Sequence, residues 1–297
     1  MYSEIKFFKN YFTKISDNFF ILDNDDSYSV NFGKQWRDHR DIQIDSINKF
    51  SLSYDYLNKM LFSNIEILKN KEILEIGSGA GRFTEHLCQY ADKCVSVDLS
   101  SSVFYNISKN KKNVVIIKSD FTKLISNKKF DIVFCRGVLQ HTPDPIQSIL
   151  KLHEFVKEDG YVFFDIYKLP KIGYLHPKYI LWRPLIKTFV KYENFEKFLK
   201  KKIKILLKIK RIIRKIFFNS KFISDCFLPI WDYKNYYNLS DYNLEKWSIL
   251  DTIDGIYAKY DYPQRNNKII NILQNNSIEI INNDKNIIIF QTKLKKN

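Results

Sequence analysis

Glutamate and glycine alternate through Glu75-Ile76-Gly77-Ser78-Gly79-Ala80-Gly81, and residue types at this spacing can do chemistry. Glycine at every second position lets the backbone take positive φ and lets a ligand approach without meeting a Cβ. A carboxylate heading such a loop suits a ligand that carries an amino group or a cation. It would repel the pyrophosphate that G-x-G-x-x-G loops set on a helix N-terminus, so the spacing disfavours a nicotinamide dehydrogenase. Asp98 stands 17 positions after Gly81, where a carboxylate can accept the protons of both ribose hydroxyls. Ser119-Asp120-Phe121 offers an acceptor for an adenine amino group and an aromatic wall. His141 is suited to taking a proton near neutral pH. His86 and His153 read as surface or packing residues, whereas His39 and His176 fall in flanking segments that could touch substrate.

These residues need strands to place them. Apolar runs ending at Ile76, at Asp98, at Ile117 and at Cys135, followed by Tyr161–Ile166, read as five strands. Arg82–Tyr90 and Leu150–Phe155 read as helices between them, and Lys157–Gly160 as a turn. Alternating helices and strands predict an α/β fold with a largely parallel, Rossmann-like sheet. Asn266–Gln274 reads as a helix, and Ile278–Ile281 with Asn286–Leu294 as a closing hairpin, which makes seven strands with the last antiparallel. Residues 1–70 read as an N-terminal cap with a helix over 53–68, 71–167 as the core, 168–263 as a helical lid, and 264–297 as the end of the core. S-adenosylmethionine, with its amino group and sulfonium cation, is a ligand that suits such an acid and loop.

Residues 71–167 resemble the class I S-adenosylmethionine-dependent methyltransferases, particularly the subgroup with Leu-x-x-His-x-x-x-Pro after strand four. Asn31-Phe32-Gly33-Lys34-Gln35-Trp36 resembles the Phe-Gly-x-Gln-Trp entry of methyltransferases found among glycan and lipopolysaccharide biosynthesis genes. Asp251-Thr252-Ile253-Asp254 and Tyr260-Asp261-Tyr262-Pro263 look like later segments of the same subgroup. The resemblance implies that Glu75, Gly77, Gly79 and Gly81 hold the methionine moiety, Asp98 the ribose, and Asp120 with Phe121 the adenine. Leu99 and Arg136 join this cofactor set. His141 is the preferred base, and Trp36, Tyr167, Asp254 and Tyr260 the substrate contacts. Two departures stand out: Gln140 precedes His141 where relatives often carry a second histidine, and Asn275-Asn276-Ser277 replaces the usual Gly-Phe before strand six.

Charge is unevenly placed. The 297-residue chain carries +15, and residues 168–221 hold 17 Lys or Arg against Glu193 and Glu196, so the remainder is neutral. Within Leu199–Phe218, Lys200, Lys201, Lys204, Lys208, Arg211 and Lys215 share about 100° of helical arc. Ile203, Leu206, Ile209, Ile213, Ile216 and Phe217 lie opposite. A basic amphipathic helix reads either as a lid with solvated lysines or as a surface for an anionic membrane through residues 200–215. The four cysteines lack metal or redox spacing, and residues 1–26 have no continuous apolar core, so no metal and no signal peptide are expected. No run is long enough to span a bilayer, which fits a cytoplasmic location, peripheral at the inner membrane if the helix binds there.

Three functions stay open on these grounds. The first is a methyltransferase acting on a sugar or other small-molecule or lipid-linked acceptor in glycan biosynthesis. The second is an RNA methyltransferase using the basic segment, although its stripe interleaves aliphatic rather than aromatic residues. The third is a non-catalytic cofactor-binding module. Nothing in the residues speaks to the oligomeric state.

Overall fold

A computed structural model describes residues 2–23, 26–236 and 239–295. The described residues form ten strands: β1 (Tyr2–Ile5), β2 (Phe8–Ser16), β3 (Phe19–Ile21), β4 (Glu72–Ile76), β5 (Lys93–Asp98), β6 (Val114–Lys118), β7 (Phe130–Cys135), β8 (Val156–Asp165), β9 (Ile278–Asp284) and β10 (Ile289–Leu294). They build one sheet in the order β1-β2-β3-β6-β5-β4-β7-β8-β10-β9. Strands β3 to β8 run parallel, while β10 pairs antiparallel with both β8 and β9. Period-two alternation explains why both faces are covered. Leu74, Val95, Val115, Val133 and Val162 enter one buried cluster, and their neighbours Ile73, Cys94, Val114, Ile132 and Phe163 enter the other.

The sheet exceeds the expected seven strands because residues 2–21 do not form a mere cap. They fold as an antiparallel β1–β3 meander, and β3 adds in parallel to β6 with Phe20 opposite Ile117. Phe8 and Phe12 sink into the core. Helices α1 (Val30–Gln43), α2 (Asp45–Asn48) and α3 (Leu52–Met60) follow. The helix expected over 53–68 breaks after α3, where Phe62 and Ser63 take φ of 52° and 63°, and resumes as a 3-10 turn at Ile65–Leu68.

Helix α4 (Thr84–Tyr90) begins two residues later than its periodicity predicts, because Gly81 at φ 96° still belongs to the loop. Helix α5 spans Pro145–Glu154, a full turn and more ahead of expectation. Asp144 Oδ1 accepts from the amides of Ile146 (2.9 Å) and Gln147 (3.1 Å), and Pro145 takes the first helical position. The turn expected at 157–160 is absorbed into β8, whose register on β7 slips between Phe130 and Ile132.

The chain divides into two compact units, Met1–Leu169 with Tyr260–Asn297, and Pro170–Lys259. The second unit is helical: α6 (Arg183–Phe189), α7 (Tyr192–Ile216), α8 (Lys221–Phe227) and α9 (Asp241–Tyr257). Its core joins Tyr192, Phe195, Leu199, Ile203 and Leu207 of α7 to Ile249, Ile253 and Ile256 of α9. Arg183 caps α9 by donating to the carbonyls of Gly255 (2.8 Å) and Ala258 (2.7 Å). Helix α10 (Asn266–Asn275) returns the chain to the sheet of the first unit.

Candidate active site

Strand order reverses at β4, whose neighbours β5 and β7 lead to opposite sides of the sheet, and ligands of open α/β sheets bind outside the strand ends at such a point. The glycine loop leaves β4 here, with Gly77, Gly79 and Gly81 all at positive φ. At Gly81 only glycine fits, since a Cβ would stand 2.5 Å from Asn106 Oδ1. The ring of Trp36, carried on α1, lies about 3.5 Å from the position a Cβ would take on Gly79. The loop thus has an aromatic wall supplied by the N-terminal helix.

Glu75 occupies a strand position that faces inward, in register with Ser96 on β5 and Phe134 on β7. It is 1% exposed. One carboxylate oxygen, Oε2, accepts from Thr84 Oγ1 (2.6 Å) and Ser96 Oγ (2.7 Å). The other, Oε1, is buried without a hydrogen-bond partner. Burial pushes this carboxyl up to about 7, against the pull of its two hydroxyl donors. A buried acceptor without a donor is costly, so the site is complementary to a ligand N–H or ammonium. Ser78 Oγ, in the loop itself, is likewise buried and without a partner.

Asp98 ends β5. Its Oδ2 accepts from the amide of Gly79 (2.7 Å), and its Oδ1 from the amide (2.7 Å) and hydroxyl (2.6 Å) of Ser100. Three of about four acceptor positions are therefore filled, and room remains for one ribose hydroxyl rather than the expected two. Burial raises its pKa, against these hydrogen bonds. Leu99 follows half-buried. Asp120 accepts from Thr122 through its amide (3.0 Å) and hydroxyl (2.7 Å), capping a 3-10 turn. Its charge acts on the hydroxyl of Tyr28, whose pKa is raised by burial first and then by Asp120 and Asp98. Phe121, expected as an adenine wall, is packed into the core cluster with Ile117 and Leu124. The guanidinium of Arg136 lies over the ring of Tyr56 (4.3 Å) and 3.6 Å from Asp165, which in turn accepts from the amide of Gly137 (2.6 Å).

His141 is held in a 3-10 turn after β7. Its Nδ1 is 2.9 Å from the carbonyl oxygen of Tyr260. A carbonyl only accepts, so Nδ1 carries the proton and the lone pair of the neutral ring sits on Nε2. Phe32 (4.9 Å) and Tyr167 (5.5 Å) pack against the imidazole, and Tyr28 meets Tyr260 edge-on at 5.5 Å. Next door, Gln140 takes the Tyr167 amide through Oε1 (3.4 Å) and leaves a buried Nε2 without a partner.

Glu75, the glycines, Trp36, Asp98, Asp120, His141, Tyr167 and Tyr260 all belong to the first unit; Asp254 lies on α9 of the second. The structure adds Tyr28, Phe32, Thr84, Ser96 and Gln140. Tyr28, Phe32 and Trp36 recur every fourth residue, a helical-face signal that the sequence itself carries. Among the described residues no three His, Cys, Asp or Glu are grouped to hold a metal.

Comparison with known proteins bears on this geometry. The methyltransferase domain family matches residues 74–164. A ubiquinone biosynthesis O-methyltransferase of Hydrogenovibrio crunogenus is 30% identical over 104 residues, 33% of this chain and 43% of its own. Its counterpart in Rickettsia canadensis is 29% identical over 155 residues, 49% of this chain and 64% of its own. The chain thus spans less than two thirds of either relative. Among solved structures, a magnesium protoporphyrin IX methyltransferase from Synechocystis is 14% identical, with a TM-score of 0.48 over 91% of this chain and 97% of that one. Residues 74–164 are therefore a class I S-adenosylmethionine-dependent methyltransferase domain.

Proposed function

We propose that the chain O-methylates a sugar or other small-molecule or lipid-linked acceptor of glycan biosynthesis, using S-adenosylmethionine. The observation that carries this reading is the buried, partnerless Oε1 of Glu75 at the glycine loop, a fit for the amino group of the cofactor's methionine moiety. When bound, the cofactor supplies an electrophilic methyl group on a sulfonium. Around it Asp98 accepts a ribose hydroxyl, and Tyr28 with Asp120 borders the adenine. The rings of Trp36, Phe32, Tyr167 and Tyr260 exclude water and favour a sulfonium by their π faces. The Tyr260 carbonyl fixes the His141 tautomer, so Nε2 takes the proton of the acceptor hydroxyl as its oxygen is methylated.

A hydroxyl acceptor is supported by the O-methyltransferase relatives, and a glycan by the segment around Phe32 and Trp36. The positive charge of residues 168–221 supports peripheral contact with an anionic membrane that carries the acceptor. The test is transfer of isotope-labelled methyl from S-adenosylmethionine to envelope and RNA fractions of the source cells. Label should appear in lipid-linked saccharide. The His141→Ala protein should turn over roughly 10²–10⁴ more slowly, with cofactor affinity nearly unchanged. Label in RNA would replace the acceptor, and cofactor binding without any transfer would leave a binding module.

A further inference from the structure

The helical unit carries more apolar surface than its own core uses. Helix α7 has three faces rather than the two its periodicity suggested. One, with Tyr192, Phe195, Leu199, Ile203 and Leu207, is buried against α9. Ile203 belongs there, as does the half-buried Leu206. Ile209 and Ile216, assigned by sequence to the same apolar side, point to solvent instead. They join Phe198, Ile205 and Ile212 in a second stripe that spans about 60° of arc. Its members are 42–64% exposed.

Lysines border this stripe. Lys201, Lys204, Lys208 and Lys215 are exposed along one edge and Lys202 along the other, and among the described residues none of the five forms an ion pair. Two cations of the expected basic face are engaged within the unit: Lys200 with Glu196 (2.7 Å) and Arg211 with Asp232 through two hydrogen bonds (2.8 and 2.9 Å). Lys210 is buried, held by Asp225 and the carbonyls of Leu228 and Ile230. The outward charge is therefore smaller than sequence suggested, and it is concentrated beside the apolar stripe. At the end of α7, Phe218 is 97% exposed and Phe217 stacks on exposed Phe227 at 5.9 Å.

We propose that α7 lies in the surface of an anionic lipid bilayer, with Phe198, Ile205, Ile209, Ile212 and Ile216 seated at the acyl boundary and the bordering lysines on the headgroups. An anionic bilayer complements both components at once: phosphate for the ammonium groups and hydrocarbon for the isoleucines. Nucleic acid matches only the first, because isoleucine offers no face on which bases stack. The proposal rests on the electrostatic membrane contact suggested above and adds apolar insertion to it.

The test is co-sedimentation of the full chain with vesicles of phosphatidylglycerol and phosphatidylcholine, at low and at high salt. Wild type should bind at low salt and keep part of its binding at high salt, since insertion is not screened. The Ile209→Ser/Ile212→Ser protein, with both changes at exposed positions, should bind about tenfold or more weakly at both salt levels. Lys201→Glu/Lys208→Glu/Lys215→Glu should weaken binding at low salt mainly. A thermal melt unchanged from wild type confirms that the variants are folded. Binding that vanishes at high salt and ignores the serine pair would refute insertion and leave the electrostatic contact standing. Failure to bind vesicles, with tight binding of RNA or with self-association sensitive to the serine pair, would overturn both.

Discussion

Glu75→Gln should make the ligand-free protein more stable at alkaline pH and the cofactor bind worse. Burial lifts the Glu75 carboxyl from its ordinary 4.5 to about 7, so between those values the folded chain keeps a proton that the unfolded chain has released. Stability therefore falls as pH rises through that window, and above it the ionised side chain costs about 3 kcal/mol. Glutamine retains an acceptor for Thr84 and Ser96 and carries no charge to desolvate. Set against the burial of an unpaired amide NH₂, which costs about 1–2 kcal/mol at every pH, the net gain should be about 1–2 kcal/mol at alkaline pH and turn into a net loss of about that size near pH 4.5, where wild type keeps its proton. Loss of a charge-assisted hydrogen bond to the ligand amino group should cost roughly 1.5–3 kcal/mol, a factor of about 10 to 150 in affinity. Urea unfolding across pH reads the first effect and titration calorimetry the second. In wild type, affinity should also fall about tenfold per pH unit below 7, as Glu75 takes up its proton. A glutamine variant that binds within threefold of wild type, or an affinity flat with pH, would refute the assignment of Oε1 to the amino group.

The buried His153, whose ring nitrogens meet the Ile149 carbonyl and Thr292 Oγ1 at 2.9 Å, is pushed down to about 4 by burial. The unfolded chain protonates it near 6.5, so its contribution is lost as pH falls from 6.5 to 4, by about 3 kcal/mol, opposite in sign to Glu75 over nearly the same range. Urea midpoints of Glu75→Gln should therefore decline more steeply toward acid than those of wild type. Asp98→Ala strips acceptors from Gly79 and Ser100 as well as from ribose, and calorimetry should show a loss of about 1–3 kcal/mol in cofactor binding. Gly81→Ala combines positive φ with a Cβ placed 2.5 Å from Asn106 Oδ1, and urea unfolding should show a loss of about 2–4 kcal/mol.

Sequence revealed most where both faces of a strand are buried. Strands β4 to β8 could be placed from their apolar runs, and the alternation of Glu75 with three glycines located the site. The meander β1–β3 escaped because β2 is half-solvated: Phe8 and Phe12, its buried residues, stand four apart, a spacing as natural to a helix as to a strand. For Asp98 and Phe121 the residue type was readable, but not its surroundings. Ser100 and Gly79 occupy most of the carboxylate, and the phenyl ring is taken up by the core. Periodicity marked α7 as amphipathic, yet a helical wheel cannot say which apolar side a neighbour covers. Only the packing of α9 separated the buried Ile203 from the exposed Ile209.

The placement of the helical unit between β8 and β10 also bears on how the chain is made. Strand β8 ends at Asp165, while its antiparallel partner β10 starts at Ile289. At ordinary translation speeds the intervening residues take on the order of ten seconds to emerge from the ribosome. Throughout that interval the backbone of β8, with Phe163 and Phe164 beside it, is an open edge on a nascent sheet. An unpaired apolar edge is a template for wrong pairing. Yield of active protein should therefore depend on chaperone holding during synthesis more than on the equilibrium stability of the finished fold.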